Sequence, residues 1–318
     1  MKTIVTLTMN PAIDTSTSVD QVLPERKLRC APPHYDPGGG GINVSRAMHR
    51  LGGESAALFT AGGPTGQMLK GLLDSEGIIN YPVPVQGWTR ENMIVLETGS
   101  GRQYRFGMPG PRLTPEESER CLERLSSFTP APDCIVASGS LPPGMNDDFY
   151  AAVARQAAIL GSTFILDTSG SALEKAVREG VYLLKPNRRE LGELVGRDII
   201  DDEDVMAAAR GLVDEGFCTA VVVSLGAEGA VLVTAEQQER ASAPPVPVVS
   251  AVGAGDSMLA GIVLGLARGR PLSDAFRFGI AAGAAAVMTP GTELCRREDT
   301  ERLFAEMLKQ TPAPAGQA

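Results

Sequence analysis

Residues 248–269, VVSAVGAGDSMLAGIVLGLARG, place Gly253, Ala254, Gly255 and Asp256 at the opening of an apolar helical pattern. A glycine turn leading into a helix exposes backbone N–H groups at the positive end of the helix dipole, which suits an anion. Asp256 then has two readings. It is an N-cap that accepts a bond from an amide two or three residues on, or it is a base held beside an anion cradle. A second glycine-rich opening stands at residues 35–53, YDPGGGGINVSRAMHRLGG. A dinucleotide fingerprint needs G-x-G-x-x-G, and here the third glycine is replaced by Asn43 in one frame and Val44 in the other. Four adjacent glycines suit a backbone that approaches a ligand closely, with Asn43 offering both a donor and an acceptor. A flexible turn is the plainer reading. No G-x-x-x-x-G-K-[ST] occurs, so a phosphate would be held by other means.

Other polar groups fall where strands should end. LLKPNRREL, 183–191, sets Lys185, Asn187 and Glu190 at the C-terminal end of an apolar run, where ligands bind in open α/β sheets. Asn187 and Glu190 suit a hydrated Mg²⁺ through oxygen ligands, or equally a helix cap with its capping-box partner. Ser224 closes another strand in VVVSLGAEGAVLV, which also reads as a plain hairpin. Asp14 follows the first strand, and carboxylates hold sugar hydroxyls by paired hydrogen bonds. Lys27, Arg29, Arg90 and Arg105 are cations in two irregular segments of an acidic chain, and arginine is well shaped to clamp a phosphate. His34 and His49 join no catalytic or metal constellation and read as structural.

The elements that must position these groups follow from the apolar pattern. The chain has 318 residues, 43% hydrophobic and 21% charged, enough to bury a full core. A net charge of −9 argues against nucleic-acid and anionic-membrane partners. Five scattered cysteines without a C-x-x-C pair suggest core thiols in a reducing compartment. Without a leader pattern or a membrane-length apolar run, a cytoplasmic protein is expected. Short apolar runs such as 3–9, 55–61 and 133–138 alternate with helical stretches such as 41–52, 65–77 and 146–161. Strands without polar alternation are buried on both faces, so the expected architecture is a doubly wound parallel α/β sheet. Residues of about 14–36 and 88–106 carry half-polar strands without helices, which predicts a small lid sheet on a single domain spanning 1–310. The Pro/Ala-rich end, 311–318, is expected to be disordered.

Together these runs resemble a known family. GGGGINVSRAMHRLGG and VSAVGAGDSMLAG are similar to the two signature regions of the PfkB (ribokinase-like) carbohydrate kinases. KPNRREL resembles their N-x-x-E element and VVVSLGAEGA their nucleotide-side loop, and the likeness runs from TLTMNPAID to GTELC. Within the family, PERKLRC, WTREN, QYRFGMPG and SGSLPPG read most like the branch of minor bacterial 6-phosphofructokinases, isozyme 2. The 1-phosphofructokinases and tagatose-6-phosphate kinases usually carry a lysine where Gly40 stands, and they are the nearest alternatives.

The resemblance implies a three-layer α/β/α ribokinase-like fold and ATP- and Mg²⁺-dependent phosphorylation of fructose 6-phosphate. It makes Asp256 the base and Gly253, Ala254 and Gly255 the frame of an anion hole. Asp14, Gly39, Gly40, Asn43, Ser138 and Gly139 would hold the sugar, with Lys27, Arg29, Arg90 and Arg105 toward its phosphate. Lys185, Asn187, Ser224, Gly226 and Gly229 would line the ATP site, and Asn187 and Glu190 would organise Mg²⁺. Ser250, Val252, Ala286, Thr289 and Gly291 match a loop that holds K⁺ in many members. The lid can be shared between two subunits, which implies a homodimer. A non-catalytic sugar-phosphate sensor is the rival from another class, but a sensor needs no base at Asp256.

Overall fold

Apolar runs without alternation become strands buried along their whole length, as in β1 (Ile4–Thr8). The computed structural model describes residues 2–310, and the Pro/Ala-rich end at 311–318 lies outside the described residues. The described residues divide into two compact units, one of Lys2–Arg46 with Glu54–Leu184, the other of Ala47–Gly53 with the described residues from Lys185 onward.

The first unit contains β1, β2 (Ala12–Val19), β3 (His34–Gly38), the start of α1 (Gly40–Arg50), β4 (Ala56–Ala61) and α2 (Gly63–Ser75). It continues with β5 (Ile79–Pro84), β6 (Arg90–Glu97), β7 (Arg102–Phe106), α3 (Pro115–Ser126), β8 (Cys134–Ser138) and α4 (Phe149–Leu160). It ends with β9 (Thr163–Asp167), α5 (Gly170–Val177) and β10 (Val181–Leu184). Six strands lie side by side in the order β10-β9-β8-β1-β4-β5, and their pairings are parallel. Connections through helices are what parallel neighbours require. Ile42 from α1, Leu69 and Leu73 from α2, and Ala57 and Phe59 from β4 share one core cluster with Ile13.

The two helix-free segments form a separate sheet, β3-β2-β6-β7. Its register sets Asp36, Asp14 and Asn92 in one cross-strand row, with Ser16, Ile94 and Arg105 in the next row on the same face. The opposite face carries the row Tyr35, Thr15, Met93 and Phe106. Side chains alternate across a strand, so the two faces differ in chemistry: acid, amide and guanidinium on one, mainly apolar groups on the other.

The second unit contains α6 (Arg188–Val195), α7 (Asp202–Asp214), β11 (Cys218–Ser224), β12 (Ala230–Thr234) and β13 (Gln238–Ala241). Three helices follow, α8 (Ala254–Ala267), α9 (Leu272–Val287) and α10 (Arg297–Gln310). β11-β12-β13 is an antiparallel meander. α8 is buried over nine consecutive residues, Ser257–Gly265, and packs closely on α9 through small residues. A Cβ at Gly261 would lie 2.8 Å from Gly279 Cα and 3.0 Å from the Phe278 carbonyl oxygen.

This contact generates a paired prediction. Gly261→Ala should destabilise the protein by about 1–3 kcal/mol, because the added methyl meets backbone that cannot step aside. Gly71→Ala, in α2 with nothing within 4 Å of the new methyl, should stabilise by roughly 0.5–1 kcal/mol. Urea unfolding of both variants checks the opposite signs.

Candidate active site

The glycine run is built by lack of space. Gly39 has φ of 115°, and a Cβ there would meet Thr8 and Pro11. A Cβ on Gly40 would overlap the Ser138 hydroxyl and lie 2.8 Å from the Gly139 amide nitrogen. On Gly41 it would fall 2.6 Å from the Leu7 carbonyl oxygen. The turn is therefore pressed against the ends of β1 and β8, and α1 starts from it. Thr8 Oγ1 accepts the Ile42 amide at 2.9 Å, and Asn43 donates its own amide to Gly39 O at 2.8 Å.

Gly139, with φ of 105°, is held from behind. Its amide donates to Asp167 O at 2.9 Å, and its carbonyl accepts Tyr150 Oη at 2.9 Å and Thr168 Oγ1 at 3.0 Å. Ser138 Oγ donates to Asp167 Oδ2 at 3.3 Å. Burial pushes the Tyr150 phenol upward, so it stays a neutral donor.

Asp14 lies against Gly38, where a Cβ would come within 2.5 Å of its Oδ2. Asn92 donates to Asp14 Oδ1 at 2.8 Å. Burial raises the Asp14 carboxyl above the ordinary carboxylate range, while the Asn92 bond and the Arg90 charge pull it down. Arg90, at the start of β6, donates through Nη1 to Met108 O and through Nη2 to Asn10 O, both at 3.0 Å. Asn10 in turn donates from Nδ2 to Ser140 Oγ at 3.2 Å. Arg105 is exposed on the same face of the small sheet as Asp14, and Lys27 and Arg29 are exposed in the loop between β2 and β3. The first unit thus gathers Asp14, Gly39, Gly40, Ser138, Gly139 and Arg90 around the glycine turn, and leaves Lys27, Arg29 and Arg105 outside the contacts described.

In the second unit, α8 opens on Gly253 in the left-handed region, φ 74°. Gly253 is itself the N-cap, and Asp256 is the third residue of the helix. The simple N-cap reading of Asp256 is thereby corrected: the left-handed glycine turns the chain earlier than the acid. Asp256 is half-buried while Gly255 is exposed, so the opening turn reaches the surface. Lys185 is 5% exposed, and its Nζ lies 3.6 Å from where a Gly255 Cβ would stand. A buried ammonium thus stands beside the amides of a helix N-terminus, an arrangement favourable to an anion.

Asn187 and Glu190 form a complete capping box at α6: Asn187 Oδ1 accepts Glu190 N at 2.9 Å and Glu190 Oε2 accepts Asn187 N at 3.0 Å. Ser224 ends β11 beside Asn187, its amide donating to Pro186 O at 3.0 Å. The tight turn after it needs glycine at both Gly226, φ 61°, and Gly229, φ 104°. Ser250 Oγ donates to Gly291 O at 3.0 Å and accepts Val252 N at 3.3 Å, while Thr289 Oγ1 donates to Ala286 O at 2.8 Å. Four cysteines are buried and Cys30 is exposed. Among the described residues no cluster of three or more His, Cys, Asp or Glu forms, and no helix is long and apolar enough to cross a membrane.

Sequence reasoning missed Asn92, Asn10, Tyr150 and Thr168. Asn92 could have been found, since it sits in WTREN two residues after Arg90. The others carry no local signal, because their partners lie 11 to 130 residues away.

Comparison with known proteins fits this geometry. The profile described as pfkB family carbohydrate kinase matches residues 3–299. The chain is 49% identical over 314 residues to the ATP-dependent 6-phosphofructokinase isozyme 2 of Mycobacterium tuberculosis, covering 99% of this chain and 92% of that protein. Phosphofructokinase-2 from Escherichia coli in complex with potassium has a TM-score of 0.93 at 42% identity, covering 97% of this chain and 100% of its own. The E. coli enzyme in complex with fructose-6-phosphate has a TM-score of 0.90 at 40% identity, with the same coverage, 97% and 100%. The chain belongs to the pfkB family of carbohydrate kinases, with their ribokinase-like α/β fold, and is a sugar-phosphate kinase.

Proposed function

We propose that this kinase, acting in the cytoplasm as one kinase domain, moves the γ-phosphoryl group of ATP to the 1-hydroxyl of fructose 6-phosphate. The products are fructose 1,6-bisphosphate and ADP. The observation that carries the reading is the opening of α8. Gly253 in the left-handed region turns the chain into α8, buried Lys185 stands by the opening turn, and Asp256 sits in the same turn. The absence of lysine from the glycine run at Gly40 and the names of the relatives above favour fructose 6-phosphate.

Phosphoryl transfer asks mainly for positioning and charge stabilisation. The sugar oxygen forms a bond to the γ-phosphorus as the bond from that phosphorus to the bridging oxygen of ADP breaks. Asp256 accepts the hydroxyl proton, and the amides of Ala254, Gly255 and Asp256 stabilise charge on the transferring group. Gly253 supplies the turn. Asp14, Asn43 and the Gly39, Gly40, Ser138 and Gly139 backbone hold the sugar, with Arg90 and Arg105 toward its phosphate. Lys185, Ser224, Gly226 and Gly229 line the nucleotide. Glu190 commits Oε2 to the capping box, and its Oε1 has a long ion-pair contact of 3.9 Å with Arg189 Nη2, so with Asn187 it fits a water-coordinated Mg²⁺, which would neutralise phosphate charge. Ser250, Val252, Ala286, Thr289 and Gly291 offer the hydroxyl and carbonyl oxygens that suit K⁺.

We also propose that the apolar face of the small sheet pairs with a second copy of the chain. Tyr35, Met93 and Phe106 are 38%, 44% and 47% exposed in one cross-strand row, a surface that water disfavours. Lys27 and Arg29 would then extend toward the neighbour's sugar phosphate. Light scattering should show a dimer for the native protein and a shift toward monomer for Met93→Glu.

The test of function is ADP release with Mg-ATP against fructose 6-phosphate, fructose 1-phosphate, tagatose 6-phosphate, fructose and ribose. The expected result is the highest kcat/KM on fructose 6-phosphate; another winner keeps the kinase and replaces the substrate, and silence across the panel favours the sensor. Asp256→Asn should lose turnover by roughly 10²- to 10⁴-fold while keeping its melting temperature. For Asp14 the sign is set by its raised pKa. The sugar is bound by the ionised form, so its KM should climb as pH falls through that raised value, sooner than for an ordinary carboxylate. Asp14→Asn should raise the KM at neutral pH and flatten that acidic limb.

A further inference from the structure

Arg46 is among the largest fully buried side chains, and nothing in the reaction above uses it. Its side chain is 0% exposed. Nε and Nη2 donate to the two Glu76 carboxylate oxygens at 2.7 and 2.6 Å, a bidentate grip. Nη1 donates to Pro37 O at 3.0 Å, and Nη2 also reaches Asp36 Oδ1 at 3.2 Å. A buried ion pair is weak evidence of stabilisation, because well-packed apolar groups often serve as well. The meaning lies in what is gripped.

Asp36 and Pro37 are the residues immediately before the Gly38–Gly41 run. In the β2–β3 register Asp36 lies opposite Asp14, and the Asp14 carboxylate rests on Gly38. Two acids thus stand side by side on one face of adjacent strands, and like charges oppose each other's ionisation. The groups that bear on Asp14 are Asn92 and Arg90 from β6, Asp36 from β3 and Arg46 from α1. Asp36 also meets His34 Nε2 at 3.4 Å. Arg46 bridges Asp36 and the backbone that leads into the glycine turn.

We propose that Arg46 is a positioning residue for sugar binding. By holding Asp36 and Pro37 it sets the path into the glycine turn, and by offsetting the Asp36 charge it lets Asp14 stay ionised. The inference rests on the reading of Asp14 as a sugar ligand. Arg46 touches no reacting atom; it acts through Asp36, Pro37 and Asp14.

The experiment uses the full chain, with KM for Mg-ATP and for the best sugar phosphate of the panel, and the pH dependence of kcat/KM for that sugar. Arg46→Met should raise the sugar KM roughly 10- to 100-fold, since a small misplacement of binding groups is costly, and leave the ATP KM within about twofold. Its acidic limb should move to higher pH. Asp36→Asn removes the repelling charge, so its limb should move to lower pH. Arg46→Lys should restore the limb toward the native position while the sugar KM stays raised, because the charge returns without the fork. Limbs that move the same way in the Met and Asn variants, or sugar and ATP KM values that rise together, overturn the proposal. If Arg46→Met does not fold, Asp36→Asn and Arg46→Lys decide by the same criteria. Asp14→Asn separates the two readings. If it leaves the sugar KM unchanged, the Asp14 reading and this inference fall together; if it raises the KM while the other limbs stay fixed, this inference alone falls.

Discussion

The Gly39–Gly41 turn presses so closely on Thr8, Pro11, Leu7, Ser138 and Gly139, at the ends of β1 and β8, that no Cβ fits between them. Much of the first unit follows from that constraint. The turn can sit there only as glycine, and Thr8 can cap the start of α1 only because the turn is that close. Gly139 packs closely against Gly40 and is fixed there, its amide held by Asp167 O and its carbonyl by Tyr150 and Thr168. A surface made of backbone has little freedom left to lose on binding, which is the physical content of preorganisation.

Small residues do the same work in the second unit. Gly253 turns the chain into α8, and Gly261 and Gly265 let that helix lie against Gly279 and Ala275. Burial along Ser257–Gly265 anchors the helix, so its opening turn is held by the core rather than by its own capping side chain. The dipole of an anchored helix is a fixed charge and needs no reorganisation when an anion arrives.

Charge is managed locally in a protein whose net balance is acidic. Arg90 is held by two backbone carbonyls beside Asp14, and Arg46 by two carboxylates and the Pro37 carbonyl just before the glycine turn. Lys185 is buried at the mouth of α8. Arg90 and Arg46 have partners that fix their direction, so local charge comes from placement and not from an excess of positive charge.

The sequence by itself determined the periodic and the sterically special. Continuous apolar runs indicated strands covered on both faces; those of the first unit are parallel, while β11 and β12 pair antiparallel. The glycine runs announced close approach, Asn187 and Glu190 announced a capping box, and helix-free half-polar strands announced a separate small sheet. The tertiary structure decided what depends on distant partners. β5 carries Pro82 and Pro84, and a strand with prolines is tolerated there because it ends the row beside β4. Asp256 looked like a cap until Gly253 was seen to take that place. Arg46 is a charged residue on α1 that is buried because Glu76 and Asp36 are brought to it from other elements. Local pattern encodes which face of an element is apolar; only the assembled chain decides which polar groups from elsewhere will meet it, because those meetings are set by topology over tens of residues and not by neighbours in sequence.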